Sequence, residues 1–257
     1  MELKERNDMK HIYLLDSDPR YHLLAKRLED EGHEVSFRLK KEDEPAIYLF
    51  SLGAKDENIL PVLNEIKEGS LVLVGKSTPR LCEAAKEKGI ALCPALEDEI
   101  YLLQNAKATA EGVLKHVIEC CPAVLSDLTV LVYGFGHCGS EIARLLWLCG
   151  CEVFVTSRER GCKAAQAEGF NVYPAATLGL SMFDGVINTV PDAIFSPALL
   201  DTLREDAHFF QVASGLSGID GEYLAGRNVF FHPLPRLPGR YAPKSEAEAL
   251  YNLIFSK

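Results

Sequence analysis

The residues with the clearest chemical meaning form a glycine pattern near the middle of the chain. Residues 134–139 read Gly-Phe-Gly-His-Cys-Gly, between an apolar segment at Thr129–Tyr133 and a helical pattern at 140–147. In a G-x-G-x-x-G loop the first glycine permits a tight turn, the second admits a pyrophosphate, and the third lets the helix lie close to the strand. We therefore predict that a dinucleotide binds here, with its phosphates at the helix N terminus, on Gly134, Phe135, Gly136, His137, Cys138 and Gly139. The alternative is a structural turn without a ligand.

The end of the next predicted strand bears on which dinucleotide is bound. An NAD site usually has an acidic residue here, about 20 residues after the glycines, which bonds the adenosine ribose. Ser157 and Arg158 stand at this place instead, and a guanidinium can pair with the 2′-phosphate of NADP. We therefore predict NADP as the cofactor. NAD is the alternative, because Glu159 follows directly and an Arg158 that faces solvent would leave no preference.

Two further strand ends carry short polar or proline-containing turns. Thr189, Val190 and Pro191 follow one predicted strand, and Ala213 follows the next. Ligands of open α/β sheets bind at the carboxyl ends of strands. We predict that these four residues line the nicotinamide end of the cofactor groove, although each turn taken alone is explained by turn chemistry.

A basic, proline-rich segment follows the last predicted strand. Residues 232–244 contain four prolines and the cations Arg236, Arg240 and Lys244, in a chain of formal net charge −10. We predict a stiff, extended backbone that directs these cations towards a carboxylate ligand. A solvated basic loop is the alternative.

Strand and helix patterns alternate along the whole chain. This alternation predicts an α/β fold of two doubly wound, Rossmann-like domains with parallel sheets and an interdomain cleft. We assign 1–104 to a flavodoxin- or Rossmann-like domain, joined by a C-terminal helix at 243–257. Residues 105–121 form a connecting helix, and 122–242 form the NAD(P)-binding domain. A helix start near Thr109 would place Thr109 and Glu111 beside the cleft.

Composition and charge exclude several classes of partner. The net charge of −10 argues against a nucleic acid or an anionic membrane as the main partner. No apolar segment approaches the roughly 20 residues that cross a bilayer, and the charged N terminus is unlike a secretory signal. We expect a cytoplasmic protein. The eight cysteines contain no C-x-x-C pair, so we predict reduced thiols and no metal site.

Three stretches of the sequence resemble the A-subunit family of dipicolinate synthase, from spore-forming bacteria. They are 105–112 (NAKATAEG), 130–146 (VLVYGFGHCGSEIARLL) and 237–244 (LPGRYAPK). The likeness covers about 105–250. One departure is Gly215, which stands where the family pattern has a lysine, and this departure would fit altered specificity or an inactive paralogue.

The resemblance implies an NAD(P)-dependent oxidoreductase. It would oxidise a dihydrodipicolinate-type ring to pyridine-2,6-dicarboxylate during sporulation. Within that family reaction Arg240 and Lys244 would bind the small dicarboxylate substrate, and Thr109, Glu111 and Ser214 would hydrogen-bond or transfer a proton. The resemblance also implies that the partner is a flavoprotein-like B subunit. We further expect a homo-oligomer.

Two other functions remain open on the sequence. A 2-hydroxyacid or shikimate-type NADP dehydrogenase has the same domain plan, although the Lys-Asp pair or Arg…Glu…His set of those reactions is not evident. A nucleotide-sensing Rossmann protein without catalysis would use the same glycine loop. NADPH binding without turnover would favour the sensing protein or a degenerate paralogue.

Overall fold

The computed structural model of the chain describes residues 9–174, 179–192, 194–214, 223 and 229–255. Gly215, where the sequence departs from the family pattern, lies outside the described residues. So does Asn228, the first residue of a strand that the apolar pattern predicts at 228–231. The chain divides into two compact units, one of Met1–Gln104 with Ala242–Lys257 and one of Asn105–Tyr241. Each unit contains one parallel sheet covered by helices.

The helices and strands alternate over most of the chain. The strands are β1 His11–Leu15, β2 Glu34–Ser36, β3 Ile47–Phe50, β4 Leu71–Val74, β5 Ala91–Pro94, β6 Thr129–Tyr133, β7 Glu152–Thr156, β8 Asn171–Val172, β9 Gly185–Asn188, β10 His208–Gln211 and β11 Phe230–Pro233. The helices are α1 Pro19–Asp30, α2 Asp56–Leu63, α3 Pro79–Glu87, α4 Glu99–Cys120, α5 His137–Leu148, α6 Glu159–Ala167, α7 Pro197–Leu200, α8 Leu237–Tyr241 and α9 Pro243–Phe255.

Both sheets are doubly wound, which confirms the predicted fold class. The first has the order β2-β1-β3-β4-β5 and the second the order β11-β10-β9-β6-β7-β8, with every strand pair parallel. The first order is that of flavodoxin-like sheets. The second, counted from β6 as strand one, is the 3-2-1-4-5-6 order of dinucleotide-binding folds.

Both faces of each sheet are buried, because strand side chains alternate between two apolar layers. On β6, Val130 and Val132 pack into the layer under α5, whereas Leu131 and Tyr133 pack into the opposite layer. This explains why β6 reads as a continuous apolar run and not as an alternating one. The run therefore marks a central strand, from which the glycine loop departs.

The C-terminal helix α9 packs within the first unit through a buried polar network. Arg20 of α1 pairs with Asp18 at 2.9 Å and with Glu246 of α9 at 3.3 Å, and the Tyr101 hydroxyl donates to the same Glu246 oxygen at 2.9 Å. Arg20 is 7% exposed and Glu246 is fully buried. Since a buried charge without partners is costly, this network specifies which unit α9 joins. Leu250 and Leu253 of α9 complete the apolar layer beside it.

The helix α4 begins earlier than the sequence predicts. It starts at Glu99, where the Asp98 carboxylate accepts the N–H of Tyr101 at 2.9 Å. The predicted helix start near Thr109 is therefore wrong. Thr109 lies inside the helix, and its hydroxyl donates to the Asn105 carbonyl one turn back, at 2.8 Å, instead of capping a helix end.

The predicted stiff, extended backbone at 232–244 is also wrong. After β11 the chain turns at Arg236, whose φ is +55°, and then forms α8. Leu237, Pro238 and Gly239 are buried. Proline is tolerated in the first turn of a helix, where its missing N–H costs nothing, so the prolines here permit short helices.

Four aromatic rings stack on one face of β10 and β11. His208 lies against Phe230 with centroids 4.8 Å apart, and Phe210 lies against His232 at 4.9 Å. Nδ1 of His208 lies 3.0 Å from Nε2 of His232, whose Nδ1 lies 3.8 Å from the Cys120 sulfur. A hydrogen bond between two imidazoles requires that at least one ring nitrogen be unprotonated. The stack is therefore suited to neutral histidines.

Protonation of this histidine pair is expected to destabilise the second unit in acid. Burial, with the charges of His208 and His116, lowers the pKa of His232 to about 4, and burial lowers the pKa of His208 against the attraction of Asp206. Because an unfolded histidine titrates near 6.5, stability present above that pH is lost as the pH falls towards 4, by on the order of 2 kcal/mol. Urea unfolding at about pH 7 and about pH 4.5 measures the loss.

The variant His232→Phe should reduce this acid sensitivity, because phenylalanine keeps a ring in the stack but does not titrate. His22→Phe, which removes a histidine that packs against Phe37 in the first unit, serves as the control. If the stability of His232→Phe fell between about pH 7 and about pH 4.5 by as much as that of wild type, the prediction would be contradicted.

Candidate functional site

The first glycine of the loop occupies a conformation that other residues rarely adopt. Gly134 follows β6 with φ +101°, and its N–H donates to the Thr156 carbonyl at 2.8 Å. A Cβ here would lie 2.7 Å from Cγ2 of Val190 and would also collide with the Thr189 hydroxyl. The tight turn out of β6 therefore requires glycine at this position.

The third glycine lets α5 approach the strand that precedes it. A Cβ at Gly139 would lie 2.8 Å from the carbonyl carbon of Gly134 and closer still to its oxygen. The obstacle is backbone, which cannot move aside as a flexible side chain could. Gly139 thus determines the distance between α5 and the end of β6.

The second glycine, in contrast, faces open space. Gly136 forms the N-cap position of α5, and none of the described atoms comes within 4 Å of the place where its Cβ would be. No side chain caps the helix there. Uncapped backbone N–H groups at a helix N terminus, beside a space kept free of side chains, suit the phosphates of a dinucleotide. The residues present therefore fit the predicted ligand.

Two side chains of the loop, those of Phe135 and Cys138, pack against the apolar layer under α5. The helix α5 begins at His137, three residues earlier than predicted, so His137 and Cys138 belong to its first turn. Phe135 packs edge-on against Phe170 at 5.7 Å. Burial raises the pKa of the Cys138 thiol, although a hydrogen bond with Thr109 acts in the opposite direction. These two side chains are thus directed into the protein, whereas the loop backbone at Gly136 borders the open space.

The ends of β9 and β10 are held together by a pair of buried amides. Nδ2 of Asn188 donates to Oε1 of Gln211 at 2.9 Å, and Oδ1 of Asn188 accepts the Val190 N–H at 3.0 Å. Nε2 of Gln211 donates to the Ala213 carbonyl at 3.3 Å. Two predicted groove residues, Val190 and Ala213, are therefore positioned by amides that sequence reasoning did not place in the site. The sequence feature that could have identified Asn188 and Gln211 is a polar residue at the end of a largely apolar strand.

The predicted groove residue Thr189 links this edge to the glycine loop. Its N–H and its hydroxyl both donate to the Tyr133 carbonyl at the end of β6, at 3.0 and 2.8 Å. Its neighbour Pro191 is exposed. The structure thus brings the end of β9 against the turn at Gly134.

At the end of β7, Arg158 meets an acid that the sequence analysis did not consider. Its guanidinium donates to the Asp192 carboxylate at 2.6 Å, and the two side chains are 89% and 56% exposed. Ser157 lies beside Gly161, where a Cβ would be 2.8 Å from the Ser157 Cβ. A residue after β7 and a residue after β9 are therefore joined across this edge of the sheet.

The predicted catalytic residues are spread over several elements, and two of them, Thr109 and Glu111, lie on α4. Thr109 is 5% exposed and reaches the glycine loop through Cys138, whereas Glu111 is exposed on α4 and Ser214 is exposed after β10. Arg240 is exposed on α8, with its guanidinium 5.3 Å from the centre of the Tyr241 ring. Lys244, on α9, belongs to the other unit.

The described residues contain neither a metal cluster nor a membrane-spanning helix. No group of three or more His, Cys, Asp or Glu side chains among them is placed to hold a metal ion. None of the helices in the same part of the chain is long and apolar enough to cross a membrane.

Comparisons with known proteins place the chain beside one family in particular. No family model matches it. Over 188 residues it is 26% identical to the A subunit of dipicolinate synthase from Bacillus subtilis (strain 168), an alignment that covers 72% of this chain and 63% of that protein. The chain thus aligns with less than two thirds of that relative.

Solved structures agree with the sequence match. The crystal structure of the dipicolinate synthase A subunit from Bacillus halodurans superposes with a TM-score of 0.82 at 20% identity, covering 97% of this chain and 98% of that one. An NAD-complexed D-isomer specific 2-hydroxyacid dehydrogenase from Lactobacillus delbrueckii ssp. bulgaricus gives 0.53 at 12% identity, covering 96% of each chain. The predicted resemblance to the A-subunit family is confirmed, and the chain has a dehydrogenase-like Rossmann fold.

Proposed function

We propose that this chain, which resembles the A subunit of dipicolinate synthase, is an NAD(P)-dependent oxidoreductase that oxidises a dihydrodipicolinate-type ring to dipicolinate. The observation that carries the proposal is the contrast among the three loop glycines. Gly134 and Gly139 are required by the packing of the protein itself, whereas nothing in the described structure requires glycine at Gly136. A bound pyrophosphate explains the missing side chain at that position.

The backbone of the second unit would hold the cofactor. The N terminus of α5 would receive the pyrophosphate, and the turns at Thr189, Val190 and Ala213 would lie beside the nicotinamide ribose and ring. Because the two buried amides, Asn188 and Gln211, tie these turns together, such a groove would be formed before the ligand binds. Such preorganisation lowers the entropic cost of binding.

The chemistry requires one hydride transfer and the loss of one proton. A bound nicotinamide would accept the hydride from a ring carbon, while the proton leaves the substrate and the ring becomes aromatic. The Thr109 hydroxyl already donates to the Asn105 carbonyl, so we assign Thr109 to positioning Cys138 and α5. The exposed Glu111 and Ser214 are the remaining candidates for proton transfer, with Glu111 favoured because a carboxylate is a stronger general base than a hydroxyl.

Finer features of the proposal rest on the resemblance and on charge. NADP is proposed over NAD because no acidic residue ends β7 and Arg158 lies there. The dicarboxylate is assigned to Arg240 and Lys244. A role in sporulation and a partner of the B-subunit type are proposed from the resemblance. A homo-oligomeric, cytoplasmic protein is proposed from the sequence.

Removal of one of the cationic side chains proposed to bind the substrate should raise the KM for the dicarboxylate more than it lowers kcat. Arg240→Ala is expected to raise KM about tenfold, because a charge-assisted contact to a carboxylate is made in both the ground and the transition state. The measurement is NAD(P)H formation from dihydrodipicolinate, run in parallel with and without the B-type subunit.

Lys115→Ala is the matched control for this experiment. Its ammonium lies over the same Tyr241 ring at 4.9 Å but is paired with Glu119 at 2.7 Å. Equal changes in KM for the two variants would contradict the proposed role of Arg240 in binding the substrate. Absence of turnover despite nucleotide binding would favour a sensing protein or an inactive paralogue.

A second candidate is a 2-hydroxyacid dehydrogenase, favoured by the superposition on an enzyme of that class. Turnover of small 2-hydroxyacids with NAD(P), without turnover of dihydrodipicolinate, would select it. That reaction uses the same nucleotide groove, so the predictions on the glycine loop hold for both candidates.

A further inference from the structure

We propose that Asp192 is a determinant of nucleotide choice, because it holds Arg158 across the carboxyl end of β6 and competes with an adenosine 2′-phosphate for the guanidinium. The inference deepens the proposed function and rests on its nicotinamide dinucleotide. Asp192 follows β9 and therefore belongs neither to the glycine loop nor to the end of β7.

The strand order places the two charges on either side of the glycine loop. Arg158 follows β7, Asp192 follows β9, and β6 lies between these strands in the sheet. Neighbouring strands are about 4.8 Å apart, so β7 and β9 are separated by roughly twice that distance. The contact of 2.6 Å between the guanidinium and the carboxylate therefore spans the edge at which residues 134–139 leave the sheet.

Tyr133, the last residue of β6, responds to both charges. Burial is the main cause that raises the pKa of its hydroxyl, and Cys162 and Asp192 raise that pKa further, whereas Arg158 lowers it. The two charged groups therefore act on the same residue at the end of β6. This agrees with the strand order, which places Arg158 and Asp192 on either side of the end of β6.

The exposure of the pair allows a ligand to reach it. The Arg158 side chain is 89% exposed and that of Asp192 is 56% exposed, so an incoming phosphate can meet the guanidinium from solvent. The 2′-phosphate of NADP would then replace the Asp192 carboxylate as the partner of the Arg158 guanidinium. The displaced carboxylate would remain close to the phosphate, as a charge of the same sign. NAD has no such phosphate and gains nothing from the exchange. Asp192 thus reduces the NADP preference that Arg158 alone would confer.

A double-mutant cycle on the full chain tests the inference. The dissociation constants of NADPH and NADH are measured by fluorescence titration for wild type, Asp192→Asn, Arg158→Ala and the double variant. Asp192→Asn should tighten NADPH binding about fivefold and change NADH binding by less than about twofold, as expected for an exposed ion pair. In the Arg158→Ala background the same substitution should change the ratio of the two constants much less, because only the repulsion between Asp192 and the 2′-phosphate is then removed.

Asp206→Asn is the matched control, since it removes one negative charge from the same unit. Asp206 pairs with Arg204 at 2.9 Å just before β10, at the opposite edge of the sheet, so its loss should leave the ratio as in wild type. An unchanged ratio in Asp192→Asn, or an equal change in both backgrounds, would overturn the inference while leaving the proposed function intact. If wild type bound neither nucleotide, both would fail.

Discussion

Gly136→Val is expected to abolish dinucleotide binding and to leave the protein folded, with only a small loss of stability. The backbone at Gly136 has φ −94° and ψ −164°, a region that valine adopts readily. None of the described atoms lies within 4 Å of the new Cβ, so the expected cost is that of an unfavourable N-cap residue, about 1 kcal/mol. The valine methyl groups would occupy the space assigned to the pyrophosphate and should weaken binding by more than about a hundredfold.

The experiment compares nucleotide titration with urea unfolding of the same variant. Gly53→Val, in the first unit, is the control, because its Cβ also meets no neighbour within 4 Å. This control should bind nucleotide as wild type does. Wild-type affinity in Gly136→Val would contradict the assignment of the pyrophosphate to the loop.

Gly139→Ala should destabilise the second unit severely. Its Cβ would lie 2.8 Å from the carbonyl carbon of Gly134 and even closer to its oxygen, and both atoms belong to a turn already held by the Gly134 N–H bond to Thr156. Relief requires α5 to move away from β6, which opens the apolar layer formed by Val132, Ile142 and their neighbours. We expect a loss of about 3 kcal/mol or more, typical of overpacking against a rigid backbone.

Gly185→Ala provides a comparison within the same unit. Gly185 is a buried glycine of β9, but its Cβ would meet a side-chain methyl group of Val130 at 3.4 Å, near ordinary contact distance. Urea unfolding followed by circular dichroism should show a much smaller loss for this variant than for Gly139→Ala. Similar losses of unfolding free energy in the two variants would mean that adding a methyl group at any buried glycine has this cost. The close approach of α5 to β6 would then have no special role.

Part of this molecule was predicted correctly from short sequence patterns. The strand β6, the turn and α5 follow from an apolar run, a glycine pattern and helical spacing, all within 129–148. The two parallel sheets follow from the alternation of strands and helices. The helix bounds were less accurate: α4 and α5 both begin earlier than predicted, because Asp98 caps one helix and an uncapped glycine opens the other.

The segment after β11 shows why a local pattern can mislead. Four prolines within 232–244 predicted an extended backbone, yet Leu237 is buried and begins α8. Leu237 lies against Gly112 of α4, where a Cβ would be 3.1 Å from the Leu237 Cβ. Burial against a residue that is distant in sequence decided the conformation, and proline preference alone did not predict it.

The sequence by itself determined the strands and the glycine loop, and it carries the proposal of a dinucleotide ligand, because these features depend on residues that are close together in the chain. Only the tertiary structure decided which strand ends meet. Arg158 and Asp192 are 34 residues apart, and Asn188 and Gln211 are 23 apart. Each pair meets because parallel strands bring their carboxyl ends to one edge, in an order that the crossover connections establish. Periodicity within a strand carries no information about that order, so these contacts became visible only in the folded chain.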